Sequence, residues 1–321
     1  MNKFLKFEKK ISYMCFLNLR LDKSIKSFCK LYTRTYLKKC ILSNCVLVNN
    51  TIINSPDKKL YFGDLITINF LELKKNNFKD KNIFLDIIYE DEYLLILNKQ
   101  SNMVVHPGAG NENGTIFNAL LHKHEIFKNI PRAGIVHRLD KDTTGLMVIA
   151  KTILVFNKLK KLIKSRNIYR EYEAIVQGNM ISGGTINASI SRNLYKKTKM
   201  SVNKNGKPAI TYYKIIERFC NFTHIKVILN SGRTHQIRVH MSHIKYPLIG
   251  DKIYGKKNFS TKGLNPILLK IIRQFSRQAL HARKLSFVHP IKKLFMSWSV
   301  NPPKDMNNLI KNLKMLNKEK V

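Results

Sequence analysis

Asp140 stands where a carboxylate is set up for chemistry. It falls within Gly134–Lys151, GIVHRLDKDTTGLMVIAK, between two short apolar runs, Ile135-Val136 and Leu146-Met147-Val148-Ile149-Ala150. Runs of this kind become buried strands. A polar loop held between two of them is rigid enough to mount reactive groups. The loop reads His137-Arg138-Leu139-Asp140-Lys141-Asp142-Thr143-Thr144 and is closed by Gly145. The neighbouring cations Arg138 and Lys141 favour the charged form of Asp140, and so its use as nucleophile or base. A solvated hairpin turn accounts for the same residue types, and on those alone it stays open.

Other stretches carry further candidates. Arg170–Gly178, REYEAIVQG, alternates as a strand, in which Tyr172 by itself reads as a half-buried strand tyrosine. Ser231–Met241, SGRTHQIRVHM, predicts a helix capped by Thr234 with Ile237, Met241 and Ile244 toward the core, sending Arg238 to another face. His235, His240 and His243 lack HExxH-like spacing and cysteine partners, so no metal site is expected. The glycines of HPGAG (106–110) suit a phosphate, but the lysine of a P-loop is missing. Glu90-Asp91-Glu92 reads as a hairpin tip.

HRLDKDTTGL, REYEAIVQG and GRTHQIR, in that order, resemble the three motifs of the RluA-type pseudouridine synthases. The likeness continues through PLIGDKIYG and Gln278–Pro290 and spans about residues 19–305. It implies Asp140 as the catalytic carboxylate and Arg238 as its ion-pair partner, a bidentate fork that orients the carboxylate and keeps it charged. It implies Tyr172 as base-stacking platform and proton-transfer group. Arg138 would fill the gap left by a flipped base, and Leu280 would pack on that base. His137, Arg233 and His235, in the same motifs, are expected to contact RNA, and His106, Gly108 and Gly110 to edge the cleft. The implied reaction exchanges a uridine N-glycosidic bond for a carbon–carbon bond, so no cofactor, metal or redox group is expected. ISRNLYKKTKMSV and GKPAITYYKI bring the chain near those members of the family that modify the helix 69 stem-loop of bacterial 23S rRNA.

The elements that must position these groups suggest an α+β fold. The expected catalytic domain, residues 83–305, is built on a large bent mixed or antiparallel sheet. A basic extension is expected over 1–18, a small RNA-binding domain over 19–70, a polar linker over 71–82 and a charged tail outside the core over 306–321. In the small domain, Asp22 is expected to cap a first helix and Thr33 or Thr35 to open a second. Val46–Val48, Asn49-Asn50 and Thr51–Ile53 read as a hairpin, and Leu65–Ile68 as a last strand. RLDK, VLVNN and GDLITI resemble the S4 RNA-binding domain, which implies that Arg20, Lys23, Lys26, Arg34, Lys38 and Lys39 grip phosphates. In the catalytic domain, Thr152–Ser165 predicts a helix with Leu154, Leu159 and Leu162 inside. Residues 179–210 read as an irregular basic excursion, and 256–272 as a variable insertion.

Composition agrees in sign. The 321 residues carry 58 Lys+Arg against 20 Asp+Glu, a net charge of +38, which favours a polyanionic partner through counterion release. A compositional drift toward Lys and Asn accounts for part of that excess. Cys15, Cys29, Cys40, Cys45 and Cys220 form no CxxC pair and suit free thiols in a reducing cytoplasm. No apolar run reaches transmembrane length, and Asn18 and Arg20 interrupt the only signal-like stretch. A cytoplasmic monomer acting on ribosomal RNA, with no membrane partner, is the expectation. Two other classes stay in view. A nucleosidic-bond hydrolase needs a second carboxylate across the cleft, and Asp142 is too near Asp140 in the loop to supply it. A non-catalytic RNA-binding or ribosome-assembly factor has no need of Asp140, Tyr172 and Arg238 together.

Overall fold

The computed structural model describes residues 5–10, 19–29, 34–70, 83–108, 110–196, 198–219, 221–255 and 265–318. Thr33 and the expected linker 71–82 lie outside them. Contacts divide the chain into two units, Met1–Phe78 and Lys79–Val321.

The first unit contains β1 (Leu5–Lys10), α1 (Leu21–Phe28), α2 (Arg34–Leu42), β2 (Val46–Val48), β3 (Thr51–Ile52) and β4 (Leu65–Phe70). The sheet order is β1-β4-β2-β3. Residues 5–10, expected as a loose extension, are instead an edge strand running antiparallel to β4. Asn49 and Asn50 turn β2 into β3 with φ of 51° and 63°. A two-residue hairpin of this hand needs positive φ twice, and asparagine tolerates it nearly as glycine does. Leu21, Ile25, Leu37, Ile41, Ile66 and Ile68 form the core. Asp22 does not cap α1. It is buried and accepts from Arg20 (3.2 Å) and Arg34 (2.7 Å), tying the two helices together.

The second unit contains β5 (Ile87–Glu90), β6 (Leu94–Lys99), α3 (Ile116–Lys123), β7 (Thr144–Ala150), α4 (Ile153–Lys164), β8 (Tyr169–Gln177), β9 (Gly184–Asn187), β10 (Ile190–Arg192), β11 (Met200–Val202), β12 (Ile210–Phe219), β13 (Phe222–Leu229), α5 (Gln236–His243), α6 (Pro266–Gln274), β14 (Leu280–Val288), β15 (Phe295–Ser299) and α7 (Lys304–Lys318). Among the described residues, nine strands make one mixed sheet in the order β5-β6-β7-β14-β8-β13-β12-β9, with β15 on β14. The central β7–β14 contact is parallel, through His281↔Thr144 and Ala282↔Gly145. β7 is buried throughout, so this strand anchors whatever precedes it.

Several local expectations change. Ile135 makes a single bridge to Ile149 rather than a strand, so the aspartate loop is flanked by one full strand only. The helix expected over 152–165 is α4, capped by Thr152, and it buries Val155, Phe156 and Leu159, while Leu154 faces solvent. The excursion at 179–210 contains β9 and the β10–β11 ribbon, and the second half of the 256–272 stretch is α6, which buries Leu268 and Ile272. The tail is part of the core. Met306, Leu309 and Leu313 recur at helical spacing on α7 and pack with Phe222, Ile249 and Ile272.

Candidate active site

A cleft of about 730 Å³ lies where the aspartate loop, the start of β8, the end of β13 and the start of α5 meet. Its lining includes Asp140, Tyr172, Arg238, Arg138, Arg233, His235, His137 and Leu280, so the three motifs converge in space. Gly108 is not among the lining residues; it closes a tight turn with Asn111, while His106 does edge the cleft.

The aspartate loop is held from below and behind. Lys99, at the end of β6, is fully buried and its ammonium donates to the carbonyls of Gln100, Met103 and Lys141 at 2.7–2.9 Å. Burial pulls its pKa down to about 7, against the opposing pull of Asp142 and Asp140. Arg277 donates to the Asp142 carbonyl (3.3 Å), and Gln278 donates to Thr143 Oγ1 (3.0 Å). Arg277 is itself gripped by Asp305 of α7 at 2.6 and 2.9 Å. His137 is braced inward, with Nε2 accepting from the Val148 N–H (3.0 Å). Burial, helped by the charge of Arg170, drives its pKa down to about 3, so the ring is a neutral acceptor. The bracing sets the ring's orientation where it lines the cleft. Arg138, next in the chain, is exposed at the cleft mouth.

Asp140 meets Arg238 and not its sequence neighbours. Arg238 Nη1 donates to Asp140 Oδ2 (2.9 Å), and His235 Nε2 lies 3.8 Å from Oδ1. Among the described residues, neither Arg138 nor Lys141 pairs with this carboxylate. The bidentate fork expected for Asp140 goes elsewhere. Arg238 Nε and Nη2 donate to the two oxygens of Asp251 at 2.7 and 2.9 Å, deep in the protein. Burial alone would lower the Arg238 pKa, but the hydrogen bonds and charge of Asp251, with Asp140 adding to them, raise it. The Asp251 carboxyl is lowered by the same pairing, against the cost of burial. Asp251 also accepts from the backbone of Ile253 (2.9 Å) and Tyr254 (3.0 Å). Sequence reasoning missed Asp251, although it is the sole carboxylate between Glu217 and Asp305.

The start of α5 also differs from expectation. Thr234 does not cap it. His235 occupies the cap position in a left-handed conformation, φ 55°. Gln236 does the bracing. Its carbonyl oxygen accepts from the Arg233 N–H and the Ser231 hydroxyl (both 2.9 Å), and its amide donates to Ile210 O and Thr211 Oγ1. His235 Nδ1 lies 2.8 Å from the Tyr254 hydroxyl, and burial lowers its pKa despite the opposing charge of Asp140. Tyr254 further places its ring 5.1 Å from the Arg238 guanidinium. Arg233 stays exposed and donates to Pro208 O (3.2 Å).

Tyr172 is buried on the cleft face of β8, and its pKa is raised by burial. Tyr169 sits three residues earlier, on the other side of the strand, and donates to Glu171 (2.7 Å). Leu280, 4 % exposed, both lines the cleft and belongs to the main core. In the first unit, Lys23 and Lys38 are exposed, whereas Arg20 and Arg34 are engaged with Asp22. Among the described residues, no three His, Cys, Asp or Glu gather as a metal site requires, and no helix is long and apolar enough to cross a membrane.

Comparison with known proteins supplies the family. The family model described as RNA pseudouridylate synthase matches residues 93–243. The chain is 54% identical over 291 residues to the ribosomal large subunit pseudouridine synthase D of Buchnera aphidicola subsp. Baizongia pistaciae, covering 91% of this chain and 92% of the relative. It is 46% identical over 294 residues to the protein of the same name from Escherichia coli K12, covering 92% and 90%. The solved structure of human RNA pseudouridylate synthase domain containing 4 shares the fold at a TM-score of 0.55 and 24% identity, covering 71% of this chain and 93% of that one. With a carboxylate loop, a cleft tyrosine and a buried arginine brought to one place, and with these identities over almost the full length, the chain belongs to the RluA-type RNA pseudouridine synthases and is an enzyme of that family.

Proposed function

We propose that this enzyme converts uridine to pseudouridine in ribosomal RNA of the large subunit, within the helix 69 stem-loop of 23S rRNA. The observation that carries the reading is the pairing of Asp140 with Arg238 in a cleft whose other charged lining residues are cations. The names of the relatives point to large-subunit RNA, and the likeness of 190–202 and 206–215 to the helix 69 enzymes narrows the target.

In this reading the uridine leaves its stack to reach the cleft, which favours a loop over a duplex. The C1′–N1 bond breaks, the base rotates, C1′–C5 forms, and the proton lost from C5 is matched by one gained at N1, so the product is an isomer. Asp140 is the essential carboxylate, and Arg238 holds it at the angle the reaction needs. Tyr172 stacks on the base and its protonated hydroxyl serves proton transfer. Arg138 fills the gap in the RNA, and Leu280 and His235 wall the base pocket, with Arg233 at the rim. The first unit acts as an S4-like grip on RNA through Arg20, Lys23, Arg34 and Lys38, the two arginines being steadied by Asp22. Ribosomal RNA as substrate supports action in the cytoplasm.

Pseudouridine mapping of 23S rRNA tests the reading, in cells lacking the protein and complemented with wild type or Asp140→Asn. Asparagine keeps the shape and removes the charge. Restoration by wild type alone is expected, at helix 69. Equal restoration by both removes Asp140 from the mechanism. Release of free uracil would make the enzyme a hydrolase.

A further inference from the structure

Arg170 is a cation for which the mechanism above has no use. It stands on β8 two residues before Tyr172, so both side chains share one face, about 7 Å apart along the strand. Both line the cleft. Arg170 is only 7% exposed, and its Nε is buried without a hydrogen-bond partner. Among the described residues no carboxylate pairs with it. Asp140 is engaged by Arg238 and His235, and Glu171 faces away toward Tyr169 and Lys226. The protein nonetheless makes room for this guanidinium: a Cβ on Gly232 would come within 2.8 Å of its Nη1.

Burying a guanidinium with a donor left unmet is costly. Such a cost persists where a ligand removes it, and the ligand must then bring an anion to this point of the cleft. The exposed rim cations differ, because water already serves them. We propose that Arg170 is a phosphate-binding residue, whose guanidinium takes a phosphodiester next to the target uridine while the base lies against Tyr172. This assignment rests on the cleft being an RNA site. It places the base and the backbone of one nucleotide at successive positions of one strand face. Arg170 thereby fixes how far the flipped nucleotide enters. A charge-assisted bond of this kind is worth about tenfold to a hundredfold in affinity.

The test is a cycle between protein and RNA. The probe is a helix 69 hairpin in which each loop phosphodiester is replaced in turn by an uncharged methylphosphonate. Binding is read by fluorescence anisotropy, and pseudouridine formation is read alongside. Arg170→Met is expected to weaken binding of the native hairpin about tenfold to a hundredfold, with Arg170→Lys recovering most of it. One methylphosphonate is expected to weaken wild type equally and to have no effect on Arg170→Met. Penalties that multiply at every linkage overturn the proposal and leave the base, or the fold, as what Arg170 serves. Thermal melting separates the latter. Because no protein partner is lost, Arg170→Met is expected to melt at or above wild type, and a lower melting point with unchanged binding also overturns the proposal. Absence of pseudouridine with wild type refutes the functional reading instead, while the binding cycle still decides the role of Arg170.

Discussion

Arg238 gives two N–H groups to Asp251 and one to Asp140. The strong, two-point contact is thus the structural one, and the single contact faces the cleft. Asp251 acts as the clamp that sets the guanidinium plane before any substrate arrives. Asp140 gains direction from Arg238 without being fully enclosed by it.

Asp251→Asn tests this division of labour. Asparagine fits the space but leaves Asp140 as the one carboxylate, among the described residues, on the buried Arg238 charge, so unfolding in urea should show a loss of about 3 kcal/mol. A guanidinium freed to tilt also misplaces Asp140, and kcat should fall about a hundredfold with little change in KM. Wild-type kcat in this variant would mean that Asp140 is oriented by its loop alone.

Tyr172→Phe keeps the ring and removes the hydroxyl. RNA binding and stability should stay near wild type, while kcat should drop about a hundredfold or more, the range for losing a proton-transfer group. Burial raises the tyrosine pKa, so the hydroxyl keeps its proton throughout the neutral range. The pH–rate profile of wild type should therefore show no tyrosine inflection below about pH 10. An inflection there that vanishes in Tyr172→Phe would assign it a phenolate role instead.

Stability should decline on the acid side of neutrality. His281 is buried, and burial takes its pKa from 6.5 to about 4. Its ring fits the neutral form, with Nε2 donating to Val300 O (3.2 Å) and Nδ1 accepting from the Thr144 hydroxyl (2.8 Å). The folded pKa lies below the unfolded one, so the unfolded chain takes the proton first. This contribution is intact above pH 6.5 and is lost as pH falls toward 4, at about 1.4 kcal/mol per pH unit. His137, lowered to about 3, acts in the same direction. Melting scans from pH 7 to pH 4.5 should show the decline, and His281→Gln should make it shallower. A flat wild-type profile would contradict both assignments.

Gly145→Ala should be far more damaging than its size suggests. The residue has φ of 111°, and a Cβ there would stand 2.2 Å from the Ala282 carbonyl oxygen, across the parallel β7–β14 contact. The backbones must part, so expression as soluble protein should fall sharply. A variant that folds and turns over normally would mean that the two strands can separate without disturbing Asp140.

Asp140, Tyr172 and Arg238 were legible because each lies in a contiguous motif, HRLDKDTTGL, REYEAIVQG or GRTHQIR, whose likeness to the family carries over residue by residue. Strand alternation alone left Tyr172 an ordinary half-buried tyrosine, and the likeness of REYEAIVQG to the family's second motif singled it out from Tyr169. Asp251, Lys99 and Arg170 were not legible, since what surrounds each side chain comes from other segments. Asp251 needs the position of α5, Lys99 needs the carbonyl of Lys141 across the loop, and the Arg170 cavity needs Gly232. Local rules failed where tertiary contacts outweighed them. Asp22 and Thr234 are sound caps by residue type, yet Asp22 is worth more between two arginines, and Gln236 secures the start of α5 from within. The tail looked dispensable through its charge, while Met306, Leu309 and Leu313 were burying its other side.

The aspartate loop, early in the catalytic unit, is fastened by residues that follow it by 135 to 137 positions: Arg277 on Asp142, Gln278 on Thr143 and His281 on Thr144. Arg277 in turn waits for Asp305. During synthesis the ribosome therefore makes Asp140 long before the pieces that lock it. A chain that stops before Asp305 carries the motif without these fastenings, and is expected to form no pseudouridine.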